Sequence, residues 1–125
     1  MPYSIATLLI RNLHDVFGEN DPDRRRAAAA EIFTEDAAFF EPSGIYRGPD
    51  EIARIAGVIR ATHPEFRYTP LGEPEELQDA AGRLRWVSGP PDAAPAYAGT
   101  DIIVARDGRI TALYLFFDKP DAGPG

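Results

Sequence analysis

The chain contains no cysteine. Disulfides, thiol chemistry and thiolate metal sites are therefore excluded, and the redox compartment is left open. Positive charge is also short: a formal net charge of −7 and a pI near 4.7 argue against nucleic acid or an anionic membrane as partner, since both ask for a cationic surface. Arg24, Arg25 and Arg26 form a basic cluster, yet Asp21 and Asp23 sit beside it. No apolar run approaches membrane-spanning length, and the N-terminal stretch has neither the basic flank nor the cleavage pattern of a signal peptide. A cytoplasmic location is expected. Nor does any HxxE, HxH or acidic-loop spacing offer metal ligands, so no metal is expected. Internal repeats and low-complexity linkers are missing too. What is present, 125 residues with 44% hydrophobic content, suffices for one domain with a real core and not for two. That domain is expected over residues 1–118, with 119–125 as a proline- and glycine-rich tail.

The rest of the chain is organised around the stretch AGTDIIVARDGRITALYLFFD, Ala98 to Asp118. Two β-branched and aromatic runs flank Asp107-Gly108, the dipeptide of a tight type I′ hairpin. Uninterrupted pairing from that turn sets Arg106 against Arg109, Ile103 against Ala112 and Asp101 against Tyr114. One face then carries Asp101, Ile103, Ala105, Ile110, Ala112, Tyr114 and Phe116, and the other Thr100, Ile102, Val104, Thr111, Leu113, Leu115 and Phe117. Both faces are apolar, which places the hairpin in mid-sheet. A carboxylate there must be hydrogen-bonded, paired, protonated or lining a cavity, because burying an unpaired charge is expensive.

Upstream, Ile5, Leu8, Leu9, Leu13, Val16 and Phe17 recur at helical spacing and Gly18 stops the run. Asp21-Pro22-Asp23 caps a second, alanine-rich helix ending near Phe33. A short strand follows from Ala37 to Glu41, closed by Pro42. Gly48-Pro49-Asp50-Glu51 opens a third helix with Ile52, Ile55, Ala56 and Ile59 on one stripe, running to about Arg60 before Pro64. Strands are expected at Phe66 to Leu71 and at Arg83 to Ser88, the latter with Leu84 and Trp86 buried, and a loop or irregular strand between them. Helices thus precede most of the strands. The order predicts an α+β architecture with helices on one face of a curved antiparallel sheet.

The stretches FTEDAAFFEPSGIYRG (Phe33 to Gly48), the PDEI helix start and AGTDIIVARDGRITALYLFFD together resemble the nuclear-transport-factor-2-like superfamily, in particular its SnoaL-like and ketosteroid-isomerase-like members. The resemblance covers nearly the whole chain and implies a cone: a bent sheet wrapping three N-terminal helices around a pocket. It also implies dimers and no obligatory cofactor. In ketosteroid isomerases the general base is an aspartate directly before a proline, and FTEDAAFFEP places Glu41 there. The acid that stabilises the oxyanion lies early in the penultimate strand, where Asp101 falls. The family's tyrosine on the first helix is not matched, the candidates being Leu13, His14 and Asp15.

A glutamate at the mouth of an apolar cavity suits proton shuttling, and a deeper acid kept protonated can donate to a developing oxyanion. Glu41 and Asp101 are accordingly the candidate catalytic pair, with Trp86, Tyr114, Phe39 and Phe116 as candidate contacts to a small hydrophobic ligand. The blander readings are a solvated strand-end Glu41, a structural Asp101 and a Trp86 that only packs. Tyr46 and Tyr68 can reach a pocket mouth, whereas His14 and His63 read as surface residues. Three functions stay open: an isomerase or cyclase moving a proton on a hydrophobic carbonyl compound, a non-catalytic binding or dimerisation domain, and an epoxide-hydrolase-like enzyme. The last would use Arg85, Asp101 and Asp118, although Arg85 and Trp86 have opposite strand parity. A homodimer through the sheet face carrying Ile102, Val104, Leu113, Leu115 and Phe117 is expected, because no further helix is left to cover that patch.

Overall fold

The computed structural model describes residues 3–118; the tail expected at 119–125 lies outside them. Helix α1 spans Ile5–Arg11, and Ser4 caps it by accepting the Thr7 N–H. It continues into a π-helical turn, Asn12–Phe17, closed by the Gly18 N–H donating to the Leu13 carbonyl at 2.9 Å. Helix α2 spans Pro22–Ile32 behind its Asp21 cap, and α3 spans Pro49–Thr62 after Gly48, whose positive φ of 88° suits a residue without a side chain. Leu8, Leu9, Leu13, Ile32 and Ile52 pack from these helices against Phe33, Phe39, Leu84, Ile103 and Leu113 of the sheet in one core.

Six strands form that sheet: β1 Phe33–Glu41, β2 Gly44–Arg47, β3 Arg67–Leu77, β4 Ala81–Gly89, β5 Tyr97–Arg106 and β6 Arg109–Phe117. Their order is β2-β1-β6-β5-β4-β3. The expected antiparallel sheet is thus mixed, since β1 runs parallel to β6 while every other pair is antiparallel. Strand β4 extends slightly past its expected limits, to Ala81–Gly89, and β1 and β3 outgrow theirs further. β1 starts at Phe33 rather than Ala37, because Phe33 pairs with Ile110 across a bulge. β3 continues through the acidic stretch to Leu77, where Glu75 opposes Arg83 and pairs with it at 3.0 Å. β2 was not expected from the sequence; four residues with half-exposed faces carry too little pattern.

The turn at Asp107-Gly108 has both residues at positive φ, 53° and 78°, as a type I′ turn requires. Arg106 does face Arg109, and Ala105 faces Ile110. Beyond that the register shifts: Thr111 is an extra residue, its hydroxyl donating to the Val104 carbonyl at 3.2 Å. Ile103 therefore pairs with Leu113 and Asp101 with Leu115. One inserted residue turns every later side chain of β6 over. Leu113, Leu115 and Phe117 lie on the helix side with Asp101, and Ala112, Tyr114 and Phe116 lie outside with Ile102 and Val104; for β6 this is the reverse of the expected assignment, while β5 keeps its expected faces.

Candidate functional site

Between the helices and the concave face of the sheet lies a cavity of about 260 Å³. Leu13 and Phe17 of the π-helical turn, Phe39 and Glu41 of β1, Trp86 of β4 and Asp101 of β5 all line it. Leu13 and Phe17 stand four residues apart on one face of this turn, so both reach the cavity, and the Phe17 ring lies edge-on to Phe39 at 5.2 Å.

Asp101 is 5% exposed. Its Oδ1 accepts the indole N–H of Trp86 at 3.1 Å, and its Oδ2 accepts from the Asn12 amide at 3.4 Å. Trp86 reaches it because its cross-strand partner is Gly99, where a Cβ would stand 2.7 Å from the indole. Burial pushes the Asp101 pKa from 3.8 up to about 7, against the opposing pull of the Trp86 and Asn12 donors. The acid is thus mostly protonated below pH 7 and half protonated near it. Asn12 is fully buried, and its Oδ1 has no partner among the described residues.

Glu41 sits where β1 ends at Pro42. One carboxylate oxygen accepts the Ser43 N–H at 3.0 Å and the Tyr46 hydroxyl at 3.2 Å, contacts supplied by the tight β1–β2 turn. Desolvation and then the Glu41 charge hold the Tyr46 hydroxyl above its usual range, so it stays a donor. A carboxylate held at the cavity wall and a neutral acid within it are groups that can take a proton and give a hydrogen bond.

Residues 10–113 match the SnoaL-like domain family. The chain belongs to that family. Solved structures agree with the assignment. One from Agrobacterium tumefaciens, described as a proposed isomerase of the SnoaL-like family, is 25% identical with a TM-score of 0.84, over 92% of this chain and 97% of that one. A proposed SnoaL-like polyketide cyclase from Jannaschia is 10% identical with a TM-score of 0.72, over 94% and 89%. An NTF2-like protein from Cytophaga hutchinsonii is 18% identical with a TM-score of 0.68, over 94% and 93%. The comparison with curated proteins gives no significant match. No helix among the described residues is long and apolar enough to cross a membrane, and no group of three His, Asp or Glu there could hold a metal ion.

Within this SnoaL-like cone the expected site residues divide. Glu41, Asp101, Trp86 and Phe39 line one cavity. Tyr114 and Phe116 do not: the bulge at Thr111 places both on the outer face, where Tyr114 stacks on Phe40 at 4.8 Å and Leu115 and Phe117 take their places inside. Arg85 also points outward, 59% exposed at its side chain and paired with Asp118 at 3.1 Å. It forms no cluster with Asp101, which removes the geometry an epoxide-hydrolase-like reaction would need. Of the three first-helix candidates only Leu13 lines the cavity, while His14 lies exposed against the Tyr68 carbonyl and Asp15 pairs with Arg11. His63, expected at the surface, is at the cavity wall and stacks on Phe66 at 4.1 Å.

Two buried polar residues that the helices bring to this region went unread in the sequence, and both carry a signal. Asn12 lies four residues after Leu8 and four before Val16, inside the apolar stripe of its helix. Arg60 continues the buried series Ile52, Ala56 of α3 at the same spacing. A polar side chain on a buried stripe either has a partner there or awaits one.

Proposed function

We propose that this SnoaL-like chain is an isomerase or cyclase that moves a proton on a hydrophobic carbonyl compound, with Glu41 as base and Asp101 as neutral hydrogen-bond donor. The observation that carries the reading is that Glu41 and Asp101 open on one apolar cavity while burial favours the protonated form of Asp101. The ligand's carbonyl oxygen sits against Asp101. Glu41 removes a proton from the adjacent carbon, negative charge develops on that oxygen, and the Asp101 O–H stabilises it. Where the ligand carries a double bond conjugated with the enolate, Glu41 returns the proton to the far carbon of that system, and otherwise to the carbon it came from, so the carboxylate is regenerated without a cofactor. Trp86, through its N–H on Oδ1, fixes which oxygen of Asp101 carries the proton into the cavity. Phe39 and Trp86 supply apolar wall, and Tyr68, on β3 with its ring edge-on to Trp86 at 5.4 Å, extends it.

Deuterium exchange at the α-carbon of an enolisable ketone such as 2-tetralone tests the reading. Glu41→Gln is expected to lower the exchange rate at least about a hundredfold, the ordinary worth of a general base, with affinity nearly unchanged. Exchange that is unaffected overturns the catalytic role.

A second reading, a binding protein without turnover, is favoured by the unpartnered Asn12 Oδ1. If the Asn12 amide is turned over, that oxygen accepts the Asp101 proton and the acid becomes purely structural. Ligand binding without any exchange would select this reading.

In either case we propose a homodimer through the outer face of the sheet. The bulge makes that face one of Phe40, Ile102, Val104, Tyr114 and Phe116, in which Val104 is 39% and Phe116 60% exposed. Arg85–Asp118 and Arg83–Glu75 pairs border the patch on its β4 side, a charged flank beside an apolar centre that suits an interface between copies.

A further inference from the structure

Arg60 is 8% exposed at the end of α3, and its side chain lines the cavity. Nη1 donates to the Phe66 carbonyl at 2.6 Å and the His63 carbonyl at 3.4 Å, holding the turn from α3 into β3. Its guanidinium lies 5.9 Å from the centre of the Tyr68 ring, a weak cation–π contact. Neutral carbonyls and one ring are all it has. No carboxylate pairs with Arg60 among the described residues, and Nε is buried there with no partner at all. A cation taken out of water without an anion carries a desolvation cost that a matching anion would offset. Arg11, Arg54, Arg83 and Arg85 each hold a carboxylate. Arg25, 7% exposed, also keeps its Nε unpartnered and bonds the Glu19 carbonyl, but it does not line the cavity, as Arg60 does.

We propose that Arg60 recognises the ligand's carboxylate, and that the cavity takes an apolar carboxylic acid bearing a carbonyl group. The carboxylate part rests on Arg60 alone; the carbonyl part rests on the proton-transfer reading given above. A carboxylate fits better than a phosphate, because one planar guanidinium edge matches one planar monoanion and no lysine or second arginine is among the residues lining the cavity. The sheet order spaces the three groups. Glu41 is on β1, Asp101 on β5, and Arg60 is bonded to the turn that opens β3, with β6, β5 and β4 lying between β1 and β3. An elongated keto acid can therefore anchor its carboxylate at Arg60 and set its carbonyl against Asp101. Glu41, on the far side, is then away from the ligand's charge.

Calorimetric titration of the full chain at pH 6 with 2-naphthoate and with neutral 2-naphthamide tests this without requiring turnover. The wild type should bind the carboxylate at least about tenfold more tightly, against the repulsion of a chain of net charge −7. Arg60→Met should bring the two affinities within about twofold of each other while naphthamide still binds, and Arg60→Lys should keep part of the preference. Arg60→Met also loses the bonds to His63 and Phe66, so a measurement on the wild type stands beside it. The buried Arg60 Nε–H resonance should shift with naphthoate and stay in place with naphthamide. Equal affinities in the wild type, a preference that survives Arg60→Met, or an Nε–H signal indifferent to naphthoate overturns the proposal. Binding of neither probe overturns it together with the cavity's role as a ligand site, whereas absent proton exchange alongside a normal carboxylate preference counts only against the catalytic reading.

Discussion

The two protein groups hydrogen-bonded to the Asp101 carboxyl, Trp86 and Asn12, both donate to it, and yet burial keeps its pKa near 7. The consequence for stability has a definite sign. Below about pH 4 the folded and unfolded chains both hold this proton. From there to pH 7 the unfolded chain has released it and the folded chain has not, so the stabilisation is full at low pH and is lost as pH rises through about 7. Asp101→Asn removes this dependence and keeps an acceptor for Trp86. Urea denaturation should therefore show the variant gaining on the wild type between pH 5 and pH 8, by on the order of a few kcal/mol at the upper end. Parallel stability curves would mean that Asp101 is ionised throughout. Asp101 was legible in the sequence because a lone carboxylate interrupts a hairpin apolar on both faces. Asn12 and Arg60 escaped because an amide or a guanidinium among helical residues reads as ordinary surface, and only their place on the buried stripe betrays them.

On the scale of elements, β5 and β6 decide which side chains meet the ligand. Their turn and mid-sheet position follow from Asp107-Gly108 and from the two-sided apolar pattern. The inserted Thr111 does not, since its residue type fits a paired position as well as a bulged one, and it is identified by the register shift and by its hydroxyl on Val104. The expected pocket contacts Tyr114 and Phe116 failed for that reason alone. Further along, Gly99 gives the Trp86 indole the space in which it turns toward Asp101, with the Phe116 carbonyl also 3.0 Å from where a Cβ would stand. Gly99→Ala should cost about 1–3 kcal/mol by overpacking. It should also change the Trp86 emission, the chain having one tryptophan, as the bond to Asp101 lengthens. An unchanged emission spectrum and unchanged stability would show that the indole position does not depend on this glycine.

For the whole molecule, the cone, its three helices and a cavity between helices and sheet follow from the order of elements and the resemblance of three sequence stretches. The shape of the outer face did not, because it inherits the bulge. Leu115, expected at the dimer contact, lines the cavity instead, and Phe116 stands outside. Phe116→Glu should thus convert a dimer to a monomer in sedimentation at micromolar concentration while leaving ligand affinity unchanged. Leu115→Glu should weaken ligand binding. A wild type that sediments as a monomer refutes the interface.

The central claim, that a protonated Asp101 works with Glu41 on a carbonyl compound, is tested most directly by the pH–rate profile of α-proton exchange in the wild type and in Asp101→Asn. The account predicts a rate that falls on the alkaline side with an apparent pKa near 7 in the wild type, and a lower rate without that fall in the variant. A wild-type profile flat through pH 7, or an alkaline fall that persists in Asp101→Asn, would contradict it.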